Sequence, residues 1–243
     1  MNPLKQLLKH SMGLFLPYER YMLTGPRQTR DIALTFDDGP DPEQTGALLD
    51  LLKSLEIRGT FFVQGNRAEE SPRLIERIVS EGHTLGHHSW SHGEPRETSA
   101  RQLMDEIDRT QRLLEQIVGV RTNLFRPPKG KLSVEKFKGL WQLNQTIVLW
   151  GVDPRDYAVR PGETLDGWAD RYQPTAGDIL LFHDIHPHCR RAIARLAKKE
   201  EFQRDWRFTT IGEWLPGQVI KTTETAARRE QVRSVEEEAV GCR

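Results

Sequence analysis

The sequence predicts an α/β fold in which helices cover a mostly parallel sheet. Segments with strand patterns alternate with segments of helical spacing along most of the chain, which is typical of parallel α/β proteins. Polar residues follow the ends of several of these strands, where such proteins place their sites. A chain of 243 residues is long enough to build one domain of this kind. Periodicity leaves open whether the sheet closes into a barrel.

The first half of the chain begins with a clear strand. The segment DIALTF, residues 31–36, has an apolar residue at every second position, as a half-buried strand has. One later helix has both ends marked, because Ser71 is suited to cap it, Pro72 to begin it and Gly82 to end it. In chain order the elements are a helix in TGALLDLLKSLEI, a strand in GTFFVQG, a helix in SPRLIERIVSEG and a weak strand in HTLGHHS.

The second half carries the longest helix and the strongest strand. The helix lies in SARQLMDEIDRTQRLLEQIVG, where apolar residues from Leu103 to Ile117 share one face and Gly119 ends it. The strand in QTIVLWGV is almost continuously apolar, as strands buried on both faces are. The remaining elements are a strand in NLF, a helix over residues 133–143, a helix in ETLDGWADRY, a strand in GDILLFHD, a helix in RRAIARLAKK and a closing segment in FTTIGEWL.

Two short extensions are expected to flank a single domain of residues 31–216. In the N-terminal extension, residues 1–30, apolar residues at helical spacing predict a helix packed on the domain. A helix over residues 4–16 that lies on a membrane surface is the alternative. The C-terminal tail, residues 217–243, is charged and poor in large apolar side chains, so we expect it to be loosely attached.

Composition argues against several classes of protein. Lys+Arg and Asp+Glu both number 35, so no basic excess indicates a nucleic-acid partner. Two cysteines, Cys189 and Cys242, make no disulfide framework. No segment approaches the ~20 apolar residues of a transmembrane helix. No signal peptide is recognisable, because Lys9, His10 and Ser11 interrupt the apolar residues, and we expect a cytoplasmic protein.

Polar side chains follow five of the predicted strands. The carboxyl ends of parallel strands share one face of the sheet, so these side chains are expected to meet there. They are Asp37 and Asp38 after the first strand, His87, His88 and His92 after the third, Arg126 after the fourth, Asp153 and Asp156 after QTIVLWG, and His183 and Asp184 after GDILLF.

The segment HSWSH, residues 88–92, places two histidines four residues apart, a spacing at which both can contact one metal ion. By itself the spacing is weak, and two polar loop residues or one buried structural histidine are the favoured interpretation of it. An acidic residue from another strand end completes a two-histidine, one-carboxylate set, which leaves positions open for water and substrate.

Asp37 and Asp38 are adjacent carboxylates in the segment TFDDGP. Each disfavours ionisation of the other, and a divalent cation bound by one of them offsets the repulsion. Both can face one site only if the chain turns, and Gly39-Pro40 supplies a turn. One carboxylate can then bind metal while the other accepts a proton from water. An ordinary acidic turn is the alternative interpretation.

Five short motifs occur in a fixed order, namely TFDDGP at 35–40, HSWSH at 88–92, RPPKG at 126–130, DPRDY at 153–157 and LLFHD at 180–184. Together they resemble the NodB-like polysaccharide deacetylases, carbohydrate esterase family four, over roughly residues 31–215. The resemblance implies the NodB homology domain, which is a distorted (β/α) barrel, usually of seven strands. It also implies a divalent metal ion, often zinc, and removal of N-acetyl or O-acetyl groups from sugars.

The resemblance assigns roles to individual residues. The catalytic positions are matched by Asp37 (base), Arg126 (which orients the base), His183 (general acid) and Asp156 (which tunes the acid), and the metal ligands by Asp38, His88 and His92. These roles agree with elementary chemistry. An amine leaves poorly unless it is protonated, and a carboxylate beside His183 favours the protonated imidazole. Arg126 can fork onto a carboxylate with two charge-assisted bonds.

Three positions depart from the common family pattern. Lys129 stands where an aromatic residue is frequent, Tyr157 where a tryptophan is usual, and His87 where an asparagine is common. These three differences are expected to change the side chains that line the site. We expect the substrate to contact Pro128, Lys129, Tyr157 and Trp150. A backbone N–H after the RPP turn is expected to bind the oxyanion.

The sequence therefore predicts a metal-dependent hydrolase of carbon–nitrogen bonds that acts on an acetylated sugar or oligosaccharide. Two alternatives remain at this point, an amidohydrolase of the same fold acting on a non-sugar amide and a catalytically inactive carbohydrate-binding protein. The segment HDIHPHC, residues 183–189, also gathers three histidines and a cysteine, for which structural roles are favoured over a second metal site.

Overall fold

A computed structural model describes residues 16–215, 217 and 219–221. Nine α-helices lie in this part of the chain, and two single 3₁₀ turns occupy residues 128–130 and 156–158. The strands are β1 (Tyr21–Met22), β2 (Asp31–Asp37), β3 (Thr60–Val63), β4 (Thr84–His87), β5 (Val120–Thr122), β6 (Leu124–Phe125), β7 (Thr146–Val148), β8 (Ile179–His183), β9 (Arg207–Thr209) and β10 (Val219–Lys221). The helices are α1 (Gln44–Ser54), α2 (Gly65–Glu70), α3 (Pro72–Ser80), α4 (Ala100–Val118), α5 (Val134–Gln142), α6 (Asp166–Arg171), α7 (His188–Ala197), α8 (Glu200–Arg204) and α9 (Ile211–Trp214).

The main sheet of the described residues has eight strands, and every neighbouring pair is parallel. Its order is β1-β7-β6-β4-β3-β2-β8, and β9 pairs with β2 beside this path. The sheet curls until the chain after β7 reaches β8, where Val152 and Leu180 form a single parallel bridge. The predicted distorted (β/α) barrel is confirmed. Seven strands follow one another along the curled sheet, as the resemblance implies, and the short β9 is an eighth strand that pairs with β2 beside them.

The barrel has an apolar interior and an apolar outer layer, because residues along each strand alternate between the two faces. On β2, Ile32, Leu34 and Phe36 pack outward with buried side chains of α1, α3 and α7. Ala33 packs inward with side chains of β3, β7 and β8. By the same alternation Asp37 points to the interior at the end of β2, which positions it for the site.

The ends of the helices follow the predicted signals in most cases. The side chain of Ser99 caps α4 in a reciprocal box with Gln102, and Gly119 ends the helix at φ +63°, a conformation that suits glycine. Ser71 does precede α3, and Pro72 begins it, but the Ser71 side chain makes no capping hydrogen bond. Ser71 therefore occupies the predicted N-cap position without the side-chain hydrogen bond that usually accompanies it.

Half of the predicted N-terminal extension and most of the predicted C-terminal tail lie outside the described residues. This applies to the helix expected over residues 4–16, of which only residue 16 is described, and to most of the tail 217–243. In the described part of the N-terminal extension, β1 pairs with β7, and near the other end β10 pairs antiparallel with β5. None of the described helices is both long enough and apolar enough to cross a bilayer.

Candidate active site

The structure brings the predicted site residues to the carboxyl ends of the parallel strands. β2 ends at Asp37, β8 ends at His183, and the two residues are partners in the β2–β8 register. Arg126 follows β6 directly, and His88 follows β4. The barrel thus gathers residues separated by up to 146 positions in the chain, as the strand-end argument predicts.

Arg126 forms a buried ion pair with Asp37. Its guanidinium is fully buried, and Nη1 donates to Asp37 Oδ1 over 2.7 Å and to Thr35 Oγ1 over 2.7 Å. Nε and Nη2 donate to the carbonyls of Val148 and Leu149. The predicted two-bond fork onto the carboxylate is therefore wrong, because backbone carbonyls occupy the other donors. Asp37 keeps Oδ2 free of this contact, and that oxygen lies 3.8 Å from His88 Nε2.

Asp38, His88 and His92 form the predicted cluster of metal-ligating side chains. The Asp38 Oδ1 atom lies 3.6 Å from His88 Nε2 and 3.4 Å from His92 Nε2. Asp38 has φ +75°, so the chain turns immediately after Asp37 and the two neighbouring carboxylates face the same site. Gln64 donates to the same Oδ1 over 2.9 Å and fixes its position.

The electrostatics of the cluster suit a cation. His88 Nδ1 lies 2.6 Å from the Arg126 carbonyl oxygen, so the proton sits on Nδ1 and the lone pair of Nε2 faces Asp38. Burial lowers the pKa of His88, which favours the neutral imidazole that ligates metals. Burial opposes ionisation of Asp38, but the neighbouring histidines and Gln64 outweigh it and lower the Asp38 pKa.

The donor set fits a divalent metal ion of the zinc type. Two imidazole nitrogens and one carboxylate oxygen are ligands that zinc accepts while leaving a position open. Ligands about 2.0–2.1 Å from a tetrahedral ion lie roughly 3.3–3.4 Å apart, close to the separations of Asp38 Oδ1 from the two nitrogens. Among the described residues, this is the group of acidic and histidine side chains that could share an ion.

His183 approaches Oδ2 of Asp38, whereas His88 and His92 approach Oδ1. The buried carboxylate of Asp156 accepts from the His183 backbone N–H over 2.7 Å and from ring Nδ1 over 2.8 Å. Nε2 therefore faces the site, 4.0 Å from Asp38 Oδ2. Burial opposes the charged ring, but Asp156, Asp37 and Asp38 outweigh it and raise the His183 pKa to about 9. Asp156 thus orients the His183 ring with Nε2 toward the site and favours its protonated form.

The four residues predicted to contact substrate differ in their exposure to solvent. Tyr157 is 52% exposed, and its ring meets the His183 ring edge-on with centroids 5.2 Å apart. Lys129 is exposed on the turn after Arg126, whereas Pro128 is buried in it. Trp150 is partly buried against the apolar core, 5.7 Å from the Arg126 guanidinium. Tyr157 and Lys129 are thus the two of these side chains that solvent reaches freely.

Two further histidine groups have structural surroundings. His87 is fully buried and its Nε2 lies 2.9 Å from Gln145 Oε1, and burial lowers its pKa to about 4. In HDIHPHC, buried Cys189 contacts the His186 carbonyl, and no described residues there form a possible metal group. The structural roles favoured for the HDIHPHC segment agree with these contacts.

Asp184 is a site-supporting residue that sequence reasoning did not assign a role. Its carboxyl is buried beneath Gly39, and Thr45 donates to Oδ2 over 2.5 Å. A Cβ on Gly39 would lie 2.0 Å from that oxygen, so the turn after Asp38 needs glycine there. Burial raises the Asp184 pKa to about 7. The only sequence signal was the position of Asp184 beside His183 at a strand end.

The family model for polysaccharide deacetylases matches residues 24–148. The chain is also 34% identical over 194 residues to a peptidoglycan-N-acetylglucosamine deacetylase of Bacillus cereus, covering 78% of this chain and 90% of that protein. The chain belongs to the polysaccharide deacetylase family.

Two other family members extend the comparison. The peptidoglycan-N-acetylmuramic acid deacetylase PdaC of Bacillus subtilis is 38% identical over 197 residues, which cover 80% of this chain. The chain spans 40% of the length of that protein. A crystal structure of the Bc1960 peptidoglycan N-acetylglucosamine deacetylase, in complex with 4-naphthalen-1-yl-N-oxidanyl-benzamide, superimposes with a TM-score of 0.73 at 29% identity. The superposition covers 80% of this chain and 92% of the Bc1960 chain. This likeness supports the distorted barrel.

Proposed function

We propose that this family member is a metal-dependent deacetylase that hydrolyses N-acetyl groups of amino sugars in a peptidoglycan-type glycan. The observation that carries the proposal is the division of labour between neighbouring carboxylates. Asp37 accepts a hydrogen bond from Arg126 through Oδ1, whereas Asp38 faces His88 and His92. The relatives named above act on peptidoglycan, which supplies the substrate class.

The metal ion would be held by Asp38, His88 and His92. Bound there, a divalent ion supplies Lewis acidity, which polarises the acetyl carbonyl and eases loss of a proton from water. The two-imidazole, one-carboxylate set leads us to propose zinc.

The chain's own residues supply the proton transfers. Asp37 Oδ2 accepts a proton from water as the water oxygen bonds to the acetyl carbon. His183 then donates the proton on Nε2 to the amide nitrogen as the carbon–nitrogen bond breaks, releasing acetate and a free amine. Exchange of a proton with solvent restores both groups. Because an amine needs this protonation more than an alkoxide does, the protonated His183 favours N-acetyl over O-acetyl substrates.

An acetate-release assay with elemental analysis tests the proposal. The purified protein should contain about one divalent ion per chain and release acetate from N-acetylated glycans, and a chelator should abolish release until metal is restored. Release from simple amides but from no glycan would establish a non-sugar amidohydrolase instead. Glycan binding without release by metal-loaded protein would establish an inactive binding protein.

A further inference from the structure

The loop that joins the two histidines of the candidate metal site has an unusual backbone. Ser89 and His92 have φ of +63° and +54°, in the left-handed region that residues other than glycine rarely adopt. Such a conformation persists only where the surrounding structure holds it. The His92 backbone N–H donates to Ser89 Oγ over 3.1 Å, but this bond lies within the loop itself. The relative position of His88 and His92 therefore depends on what holds the loop from outside.

A carboxylate on α4 holds the middle of this loop. Glu106 Oε2 accepts from the backbone N–H of Trp90 over 2.9 Å and of Ser91 over 3.1 Å, and Oε1 accepts from Ser91 Oγ over 2.8 Å. A carboxylate has about four lone-pair positions, so it can accept all three bonds at once. Hydrogen bonds to a charged acceptor are stronger than those between neutral groups. Glu106 thus fixes two of the three residues that lie between His88 and His92.

The carbonyl groups of the same loop are held by different donors. Ser89 O accepts from the Gly65 N–H over 3.0 Å and from Thr110 Oγ1 over 3.2 Å. Trp90 O accepts from the Asn66 N–H over 3.1 Å. These bonds do not involve the Glu106 side chain, so the loop stays attached to α2 and α4 when that side chain is removed. What is lost is the partner of the loop's N–H groups.

We propose that Glu106 is a positioning residue for the metal ion, because its three hydrogen bonds preset the separation of His88 and His92 and so raise the affinity of the site. The inference rests on the metal site of the proposed function and adds a residue to it. The Glu106 carboxylate bonds to the loop between the histidines, so it acts through their position. Groups that orient metal ligands in this way typically contribute about 10–100-fold to metal affinity.

The test measures the zinc Kd of the purified protein by competition with a chromophoric chelator. Glu106→Ala should raise this Kd by about 10–100-fold. Its kcat for acetate release at saturating zinc should stay close to the wild-type value, because excess zinc fills the site despite the weaker affinity. Urea denaturation of the metal-free protein shows whether the variant is folded. A merely structural role would lower the stability of the metal-free protein and leave the zinc Kd of the folded protein unchanged.

Three further variants separate the hydrogen bonds from the charge. In Glu106→Gln the amide oxygen can accept from both backbone N–H groups and the amide nitrogen can donate to Ser91 Oγ, so the Kd should stay within about threefold of wild type. Asp105→Ala is the matched control, because it removes a carboxylate from the adjacent, exposed position of α4, and it should keep the wild-type Kd. Ser91→Ala should raise the Kd by about three- to tenfold, the scale of one hydrogen bond, but should have no effect in the Glu106→Ala background.

Three results would overturn the inference. They are a Kd for Glu106→Ala within about threefold of wild type, equal losses in Glu106→Gln and Glu106→Ala, and a loss in Asp105→Ala as large as that in Glu106→Ala. If Glu106→Ala does not fold, an unchanged Kd in Ser91→Ala overturns it instead. In each case wild-type protein still binds zinc and releases acetate, so the proposed function stands. Wild-type protein that binds no divalent ion would reject the proposed function, and the inference with it.

Discussion

Arg126 and Asp37 form an ion pair inside the barrel, with Nη1 2.7 Å from Oδ1 and both side chains at most 4% exposed. The guanidinium also packs over the Phe62 ring, 4.1 Å from its centroid. Three other hydrogen bonds tie the same guanidinium to Thr35 and to two backbone carbonyls, so Asp37 Oδ1 bonds to a donor that is itself held in place. The pair therefore fixes the carboxylate that we propose as the base.

Arg126→Met should both destabilise the fold and abolish turnover. Removing one partner of a buried ion pair leaves the other charge uncompensated, which costs about 3–5 kcal/mol. Urea denaturation measures the loss of unfolding free energy, and acetate release measures turnover. Arg30→Met, which removes an ion pair to Asp205 whose two side chains are 66% and 52% exposed, is the control and should cost much less. Equal stability losses in the two variants would contradict the role given to burial.

Asp156→Asn should shift the pH profile of kcat. Asp156 contributes to raising the His183 pKa to about 9, so the proton needed by the leaving amine is present below that pH and is lost above it. Without the negative charge the His183 pKa falls, and the alkaline limb of the profile should move to lower pH. The measurement is kcat against pH for both proteins. An unchanged alkaline limb would show that His183 is not the group that titrates there.

Gly39→Ala should disrupt the turn that presents Asp38, because its Cβ would occupy the space of the Asp184 carboxyl. Asp184→Ala alone should also destabilise, since it removes the acceptor for Thr45 and leaves a cavity. Combined, the two changes should be less destabilising than their sum, by about 0.5–3 kcal/mol. Denaturation of the four proteins of this cycle measures the coupling. Simple additivity would contradict a direct contact.

The sequence predicted those parts of the site that depend on local pattern. The alternation in DIALTF placed a strand at β2, and the strand-end argument brought Asp37, His88 and His183 to one rim. The four-residue spacing of His88 and His92 likewise carried over into neighbouring ligand atoms, because a short loop cannot separate them far.

Contacts that depend on barrel closure could not be read from local residue patterns, and the pairing of Arg126 with Asp37 was expected from the family resemblance alone. The hydrogen bond from Arg126 to Asp37 joins residues 89 positions apart in the chain. Arg126 makes only one hydrogen bond to this carboxylate because its Nε and Nη2 donate to the carbonyls of Val148 and Leu149. The buried contact of Asp184 with Gly39 depends in the same way on the register of β2 with β8. No local pattern encodes either distance, because each is set by how two remote segments pack.

The most direct measurement is metal content and acetate release in Asp37→Asn, set beside Asp38→Asn and His92→Ala. We expect Asp37→Asn to keep about one metal ion per chain and to lose at least about 10²–10⁴-fold in kcat, the usual contribution of a general base. Asp38→Asn and His92→Ala should lose metal first, with activity partly restored by excess metal. Equal loss of metal in all three variants, or near wild-type turnover by Asp37→Asn, would contradict the division of labour between the two carboxylates.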